Sequence, residues 1–87
     1  MDTTPTLAGF ILFCRNIVGI SEDVMPDEDA GFEAALEYAQ QWIPLDLQVY
    51  SPALYTSAVY NWSASFLIQY QQDPTGQVFF TNARQSF

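Results

Sequence analysis

The sequence has no lysine and no histidine, and its only basic residues are Arg15 and Arg84. Non-specific binding to nucleic acid draws on Lys and Arg that displace counterions from phosphates, so one copy of this chain is a poor partner for DNA. An anionic membrane surface repels it for the same reason. Imidazole bases, catalytic triads and His-containing zinc sites have no parts to be built from. A single cysteine, Cys14, excludes an intrachain disulfide framework. It sits in the apolar run FILFC and reads as a small buried thiol. The four glycines at 9, 19, 31 and 76 are scattered and form no phosphate-cradling loop. No Ser-nucleophile signature and no cofactor motif is present, so the chain reads as a non-enzyme without a cofactor.

Ten acids against two bases leave a net charge of −8, yet 49% of the residues are hydrophobic and 16% aromatic. That is too apolar for a disordered chain. Eighty-seven residues make one domain, 1–87, and a chain of this size removes only roughly 60–65% of its unfolded surface from water. Asp2 stands where a secretory leader carries basic residues, so a cytosolic chain is expected.

Prolines and glycines divide the sequence into four segments. The first opens at TTPT, where Thr4 caps and Pro5 suits the first helical position, and runs through Leu7, Phe10, Ile11, Cys14 and Val18 to Gly19. Arg15 and Asn16 interrupt it well short of the roughly 20 apolar residues a membrane span needs. The second follows the acidic connector SEDVMPDEDAG. Its Phe32, Leu36, Ala39 and Ile43, with Ala35 and Trp42 beside them, make the stripe of an amphipathic helix that Pro44 ends. PLDLQVYSP alternates apolar and polar residues between two prolines and reads as an extended connector.

The third segment, PALYTSAVYNWSASFLIQY, runs from a Ser51 cap and Pro52 to DPTG, with Pro74 expected second and Gly76 fourth in a tight turn. It has no formal charge and five aromatic rings. A step of 100° per residue lays out two apolar stripes: Tyr55, Ala58, Val59, Trp62, Phe66 and Tyr70, and then Tyr60, Ala64, Leu67 and Ile68. Such a helix is either central to its own fold or shared with another chain, and three short neighbours hardly cover it. Its Asn, Gln, Ser and Thr content and the lack of flanking basic residues argue against a membrane span. The fourth segment, QVFFTNARQSF, places Phe80, Ala83, Arg84 and Phe87 at helical spacing and ends without a cap, as a frayed or continuing chain does. The fold expected is mainly α, a small bundle of about four helices with an extended connector between the second and third.

Glu22, Asp23, Asp27, Glu28 and Asp29 form an acidic surface. DEDAGFEAALEY misses the calcium-loop pattern, since Gly31 falls fifth rather than sixth and no acid falls twelfth. No metal is therefore expected, and acids before a helix start suit the exposed N–H groups there.

The run Pro52 to Phe87, PALYTSAVYNWSASFLIQYQQDPTGQVFFTNARQSF, resembles small helical proteins of tailed phages and prophages in which an LYTLAVYN-type helix leads through a DxPGQ-like turn into an aromatic-then-Arg helix. DAGFEAALEYAQQWI is similar in character to the preceding helix of that family. DPTGQ departs from the pattern by placing Thr75 between Pro74 and Gly76. The resemblance, to head-to-tail connector (neck or adaptor) proteins, implies a structural virion protein. Such proteins form a ring between the portal and the tail-completion proteins around the DNA channel, assembled in the host cytoplasm and residing at the virion neck. The partners implied are other copies of the chain, the portal protein and tail proteins.

On that reading Tyr60, Ala64, Leu67 and Ile68 are expected at the inter-subunit interface. Phe32, Trp42, Trp62, Phe66 and Tyr70 are expected in an aromatic core. A small acidic DNA mimic that inhibits a host nuclease or restriction system is the alternative. Seven of the ten acids lie between Glu22 and Glu37 rather than along the whole chain, which disfavours it.

Overall fold

A computed structural model describes residues 5–86, with the side chain of Ser86 excepted. Among these residues every regular element is helical: α1 (Leu7–Phe13), running on into a π turn (Cys14–Val18), then α2 (Ala30–Trp42), α3 (Asp46–Tyr50), α4 (Pro52–Tyr70) and α5 (Phe79–Ser86). The mainly α bundle expected from the sequence is what forms.

Boundaries follow local chemistry, with three departures. Thr6 caps α1, its side chain accepting from the Gly9 N–H, and Pro5 is buried just ahead of the cap. The cap expected at Thr4 lies outside the described residues. The stretch expected to be extended instead winds one turn as α3, because Leu45 and Asp46 follow Pro44 in helical geometry and Ser51 breaks out of it before Pro52. Pro44 and Pro52 therefore bracket a turn of helix. Finally, the turn after α4 sits one residue later than DPTG suggests. The Gln77 N–H donates to the Pro74 carbonyl at 3.0 Å, and Gly76 supplies the positive φ of 85° that the third turn position requires.

α2 begins at an Asp29 cap that accepts from the Gly31 N–H at 2.8 Å, and Ile43 leaves helical geometry just before Pro44. Ser51 caps α4 with Pro52 in its first turn. The core lies where α1, α2 and α4 meet and takes in the connector residues Ile20, Val24 and Met25, with Phe10, Phe32 and Phe80 all fully enclosed. Ser63 is buried among them and satisfies its hydroxyl by donating to the Val59 carbonyl at 2.7 Å. Arg15 ties the π turn to the acidic connector: it donates to the Ile20 carbonyl and to Asp27 at 2.6 Å, with its guanidinium 5.4 Å from the centre of the Phe32 ring.

Candidate functional site

α4 is the element on which the two apolar stripes were read, and the structure divides each of them: Tyr55 and Val59 of the first and Ala64 and Leu67 of the second are buried, while Tyr70 of the first is exposed. Ala64 is 5% exposed and Leu67 1% exposed, so both are part of the chain's own core. Tyr60 is half-buried and faces α1. Its ring stacks on Phe10 at 5.8 Å, and its hydroxyl accepts from the Thr6 N–H at 3.1 Å. Of the four expected interface residues, Ile68 and, at its floor, Ala64 line a surface depression. Gly9 explains why Tyr60 turns inward: a Cβ there would collide with the Tyr60 hydroxyl, so its absence admits the ring against α1.

The expected aromatic core is corrected at Trp42 and Tyr70, while Trp62 and Phe66 pack against the core partly buried. Phe32 is buried, but Trp42 is 65% and Tyr70 66% exposed, and Trp62 and Phe66 are half-buried. These four rings join Tyr38 in a ladder across α2 and α4. Tyr38, Trp62 and Phe66 form a triangle of near-parallel rings, with Tyr38 5.8 Å from Trp62 at 12° and 5.4 Å from Phe66 at 24°. Trp62 and Phe66 stack at 5.8 Å, Phe66 meets Tyr70 at 5.0 Å, and Tyr38 meets Trp42 at 6.5 Å. The rings border a surface depression of about 300 Å³. Sequence reading missed Tyr38, although it precedes Trp42 by four positions, one helical turn.

On the other flank of α4 lies a larger groove of about 830 Å³, walled by Phe13, Ile17 and Val18 of the first helix, Ile68 of α4, and Phe79 and Arg84 of α5. Ser65 and Gln69 line both depressions, so a narrow polar ridge separates them. Phe66 and Ile68 are two positions apart and therefore leave the helix in directions about 160° apart.

α5, the movable-looking wall, is fixed by polar groups at both ends. Asp73 accepts from the Phe80 N–H (2.8 Å), the Thr81 N–H (2.9 Å) and the Thr81 hydroxyl (2.9 Å), capping a helix whose own first residues are apolar. Partial burial by itself would raise the Asp73 pKa. The three hydrogen bonds, with the positive charge of Arg84, outweigh it and hold the carboxyl below the ordinary aspartate range. Arg84 donates to the Ile68 carbonyl at 2.7 Å and to the Gln71 carbonyl. The expected spacing of Phe80, Ala83 and Arg84 is realised in α5; Phe87 lies outside the described residues.

A third apolar feature is a shoulder formed by α3 and the start of α4, where Leu45, Val49, Tyr50 and Leu54 are all exposed. Asp46 is exposed beside them.

The acidic surface is present: Glu22, Asp23, Asp27 and Glu28 are exposed, and Asp29 is half-buried at the α2 cap. It contains no group of three or more His, Cys, Asp or Glu residues placed to hold a metal ion, a statement that covers the described residues. Cys14 is buried, and burial pushes its thiol up to about 12 despite the opposing charge of Arg15, which keeps it protonated and unreactive at neutral pH. Among the described residues no helix is long and apolar enough to cross a membrane. No family model, curated protein or solved structure matches the chain.

Proposed function

We propose that this chain is a structural assembly protein of the head-to-tail connector kind, building a ring from copies of itself and meeting other virion components through the surfaces the ring leaves free. The observation that carries the reading is the uncovered apolar area on both flanks of α4 together with the α3 shoulder. A domain of 87 residues that leaves Trp42, Val49, Tyr50, Leu54 and Tyr70 exposed has more apolar surface than its own elements cover. The sequence resemblance of Pro52–Phe87 to phage neck proteins supports the same role.

In this reading sister copies meet head to tail, the shoulder of one entering the groove of the next. A contact that joins two different patches generates a ring when its rotation closes. Val49 and Tyr50 protrude, whereas Ile17, Ile68 and Phe79 line a concavity. The charges agree as well, since Asp46 flanks the shoulder and Arg84 the groove. An acidic DNA mimic would account for the net charge but would have no use for these apolar surfaces.

Sedimentation velocity and negative-stain imaging of the purified chain test the proposal. Discrete closed particles are expected, and either Ile68→Glu or Val49→Glu is expected to return them to monomer with helical content retained. A chain that stays monomeric at every concentration, or particles indifferent to both changes, would remove the ring.

A further inference from the structure

We infer that α5 is a hinged wall: it opens and closes as one unit while the rest of the fold stays intact, and the larger groove exists only while it is closed. The opening is a property of the single chain, and only its effect on assembly rests on the ring proposed above.

The distribution of burial sets α5 apart. Of the fourteen buried apolar side chains among the described residues, Phe80 alone lies beyond Leu67. The other thirteen come from residues 10–67, where α1, α2, α4 and the first connector enclose one another. α5 packs chiefly on α4, and besides Phe80 only Phe79 and Ala83 of its described side chains are even half-buried. Residues 74–78, which lead into it, are exposed at every position, with Gly76 in the left-handed region at φ 85°. A segment of that kind swings without breaking apolar contacts of its own.

What holds the wall shut is one buried ring and two polar clasps. Asp73 accepts from the Phe80 and Thr81 N–H groups and the Thr81 hydroxyl at the start of α5, and Arg84 donates to the Ile68 and Gln71 carbonyls from its last turn. Both clasps bridge the exposed connector, and neither reaches α1, α2 or α3. Eight residues are too few for a helix to persist in water by itself, since isolated helices shorter than roughly 12–15 residues are marginal. α5 therefore unwinds when it leaves α4. With Arg84 pinning the last turn as Asp73 pins the first, neither end is free to fray ahead of the other, and the helix is docked whole or lost whole.

The consequence falls on the groove. Phe79, Asn82, Ala83 and Arg84 all line it, so departure of α5 removes a wall and leaves Ile68 on an open helix face. A protruding shoulder finds a concave seat only in the closed form, and the closed fraction scales its apparent affinity.

Residue-resolved amide hydrogen exchange on the full chain tests this. The amides of Phe80 through Gln85 are expected to share one opening constant, with protection about 100-fold or more below that of the buried stretch of α2. Asp73→Ala is expected to raise the exchange of all six together by about fivefold, the size of a lost cap, and Arg84→Gln by several-fold. Phe32→Leu provides the control, because it weakens the α1–α2 core that α5 opening leaves intact: α2 exchange is expected to quicken while the α5 opening constant stays put. Exchange that rises steadily from Phe80 to Gln85, protection equal to that of α2, or an α5 response to Phe32→Leu as large as that of α2 would overturn the hinge. At concentrations where closed particles form, α5 exchange is expected to slow further as the groove fills. Particles that leave it unchanged would overturn the coupling of wall to groove, whereas a shared opening constant in a chain that never forms particles refutes the ring alone.

Discussion

Two sets of aromatic rings in this molecule have similar chemistry and opposite fates. Phe10, Phe32 and Phe80 are fully enclosed, whereas Tyr38, Trp42, Trp62, Phe66 and Tyr70 form a continuous stack that water reaches. The first set belongs to one buried cluster that also holds the small or flexible residues Ala35, Ala39, Cys14 and Met25. The second set lies on one flank of α2 and α4, where its rings are half-buried or exposed. Ring stacking organises the outer set without hiding it. Aromatic content thus serves stability in one place and leaves an exposed apolar surface in the other.

Substitutions that treat the two sets alike should separate them. Phe32→Ala removes a ring that meets Phe10 edge-on at 6.0 Å and lies beneath Arg15. It is expected to cost about 3–5 kcal/mol, a large share of the roughly 5–15 kcal/mol a domain holds, and urea denaturation should show the chain partly unfolded without denaturant. Gly9→Ala should follow at about 1–2 kcal/mol, because the added methyl displaces the Tyr60 hydroxyl from Thr6 and this overrides the gain in helix propensity. Tyr38→Ala, from the ladder, should cost only about 1 kcal/mol in the same measurement; a loss as large as that of Phe32 would show the ladder to be core after all.

Smaller still are the polar ties. Asp73→Ala should lower stability by about 1 kcal/mol through loss of the α5 cap. Asp73 is held below its unfolded value, so its contribution is complete above the ordinary aspartate pKa of about 3.9 and fades as pH falls through the lower folded value. Circular dichroism should show α5 loosening only in that acid window. Asp27→Asn breaks an ion pair whose acid is 59% exposed. It should change the denaturation midpoint by no more than about 0.5 kcal/mol equivalent, and still less at high salt.

How legible all this was in the sequence depends on what each inference required. The α2 stripe and the Ser51–Pro52 helix start are local patterns, and both appear as read except that Trp42 turns to the surface. The inside and outside of α4 could not be assigned from its own periodicity, because apolar residues occupy nearly its whole circumference. What decided the matter was distant: Gly9 admits Tyr60, and Tyr38 offers a stacking partner to Trp62 and Phe66. The extended connector failed as a reading because apolar alternation over so few residues fits one helical turn as well as a strand. Asp73 escaped notice as a cap because it lies seven residues from the Phe80 N–H it serves, beyond the usual cap spacing.

The Ser65–Gln69 ridge that separates ladder from groove is only one helix thick, about 10–12 Å with its side chains. Any pull between bodies seated in the two hollows would therefore run crosswise through the middle of α4 rather than through the Phe10–Phe32 interior. In such an arrangement this single rod would act as the mechanical joint, and its backbone hydrogen bonds near Ser65 would set the strength of that joint.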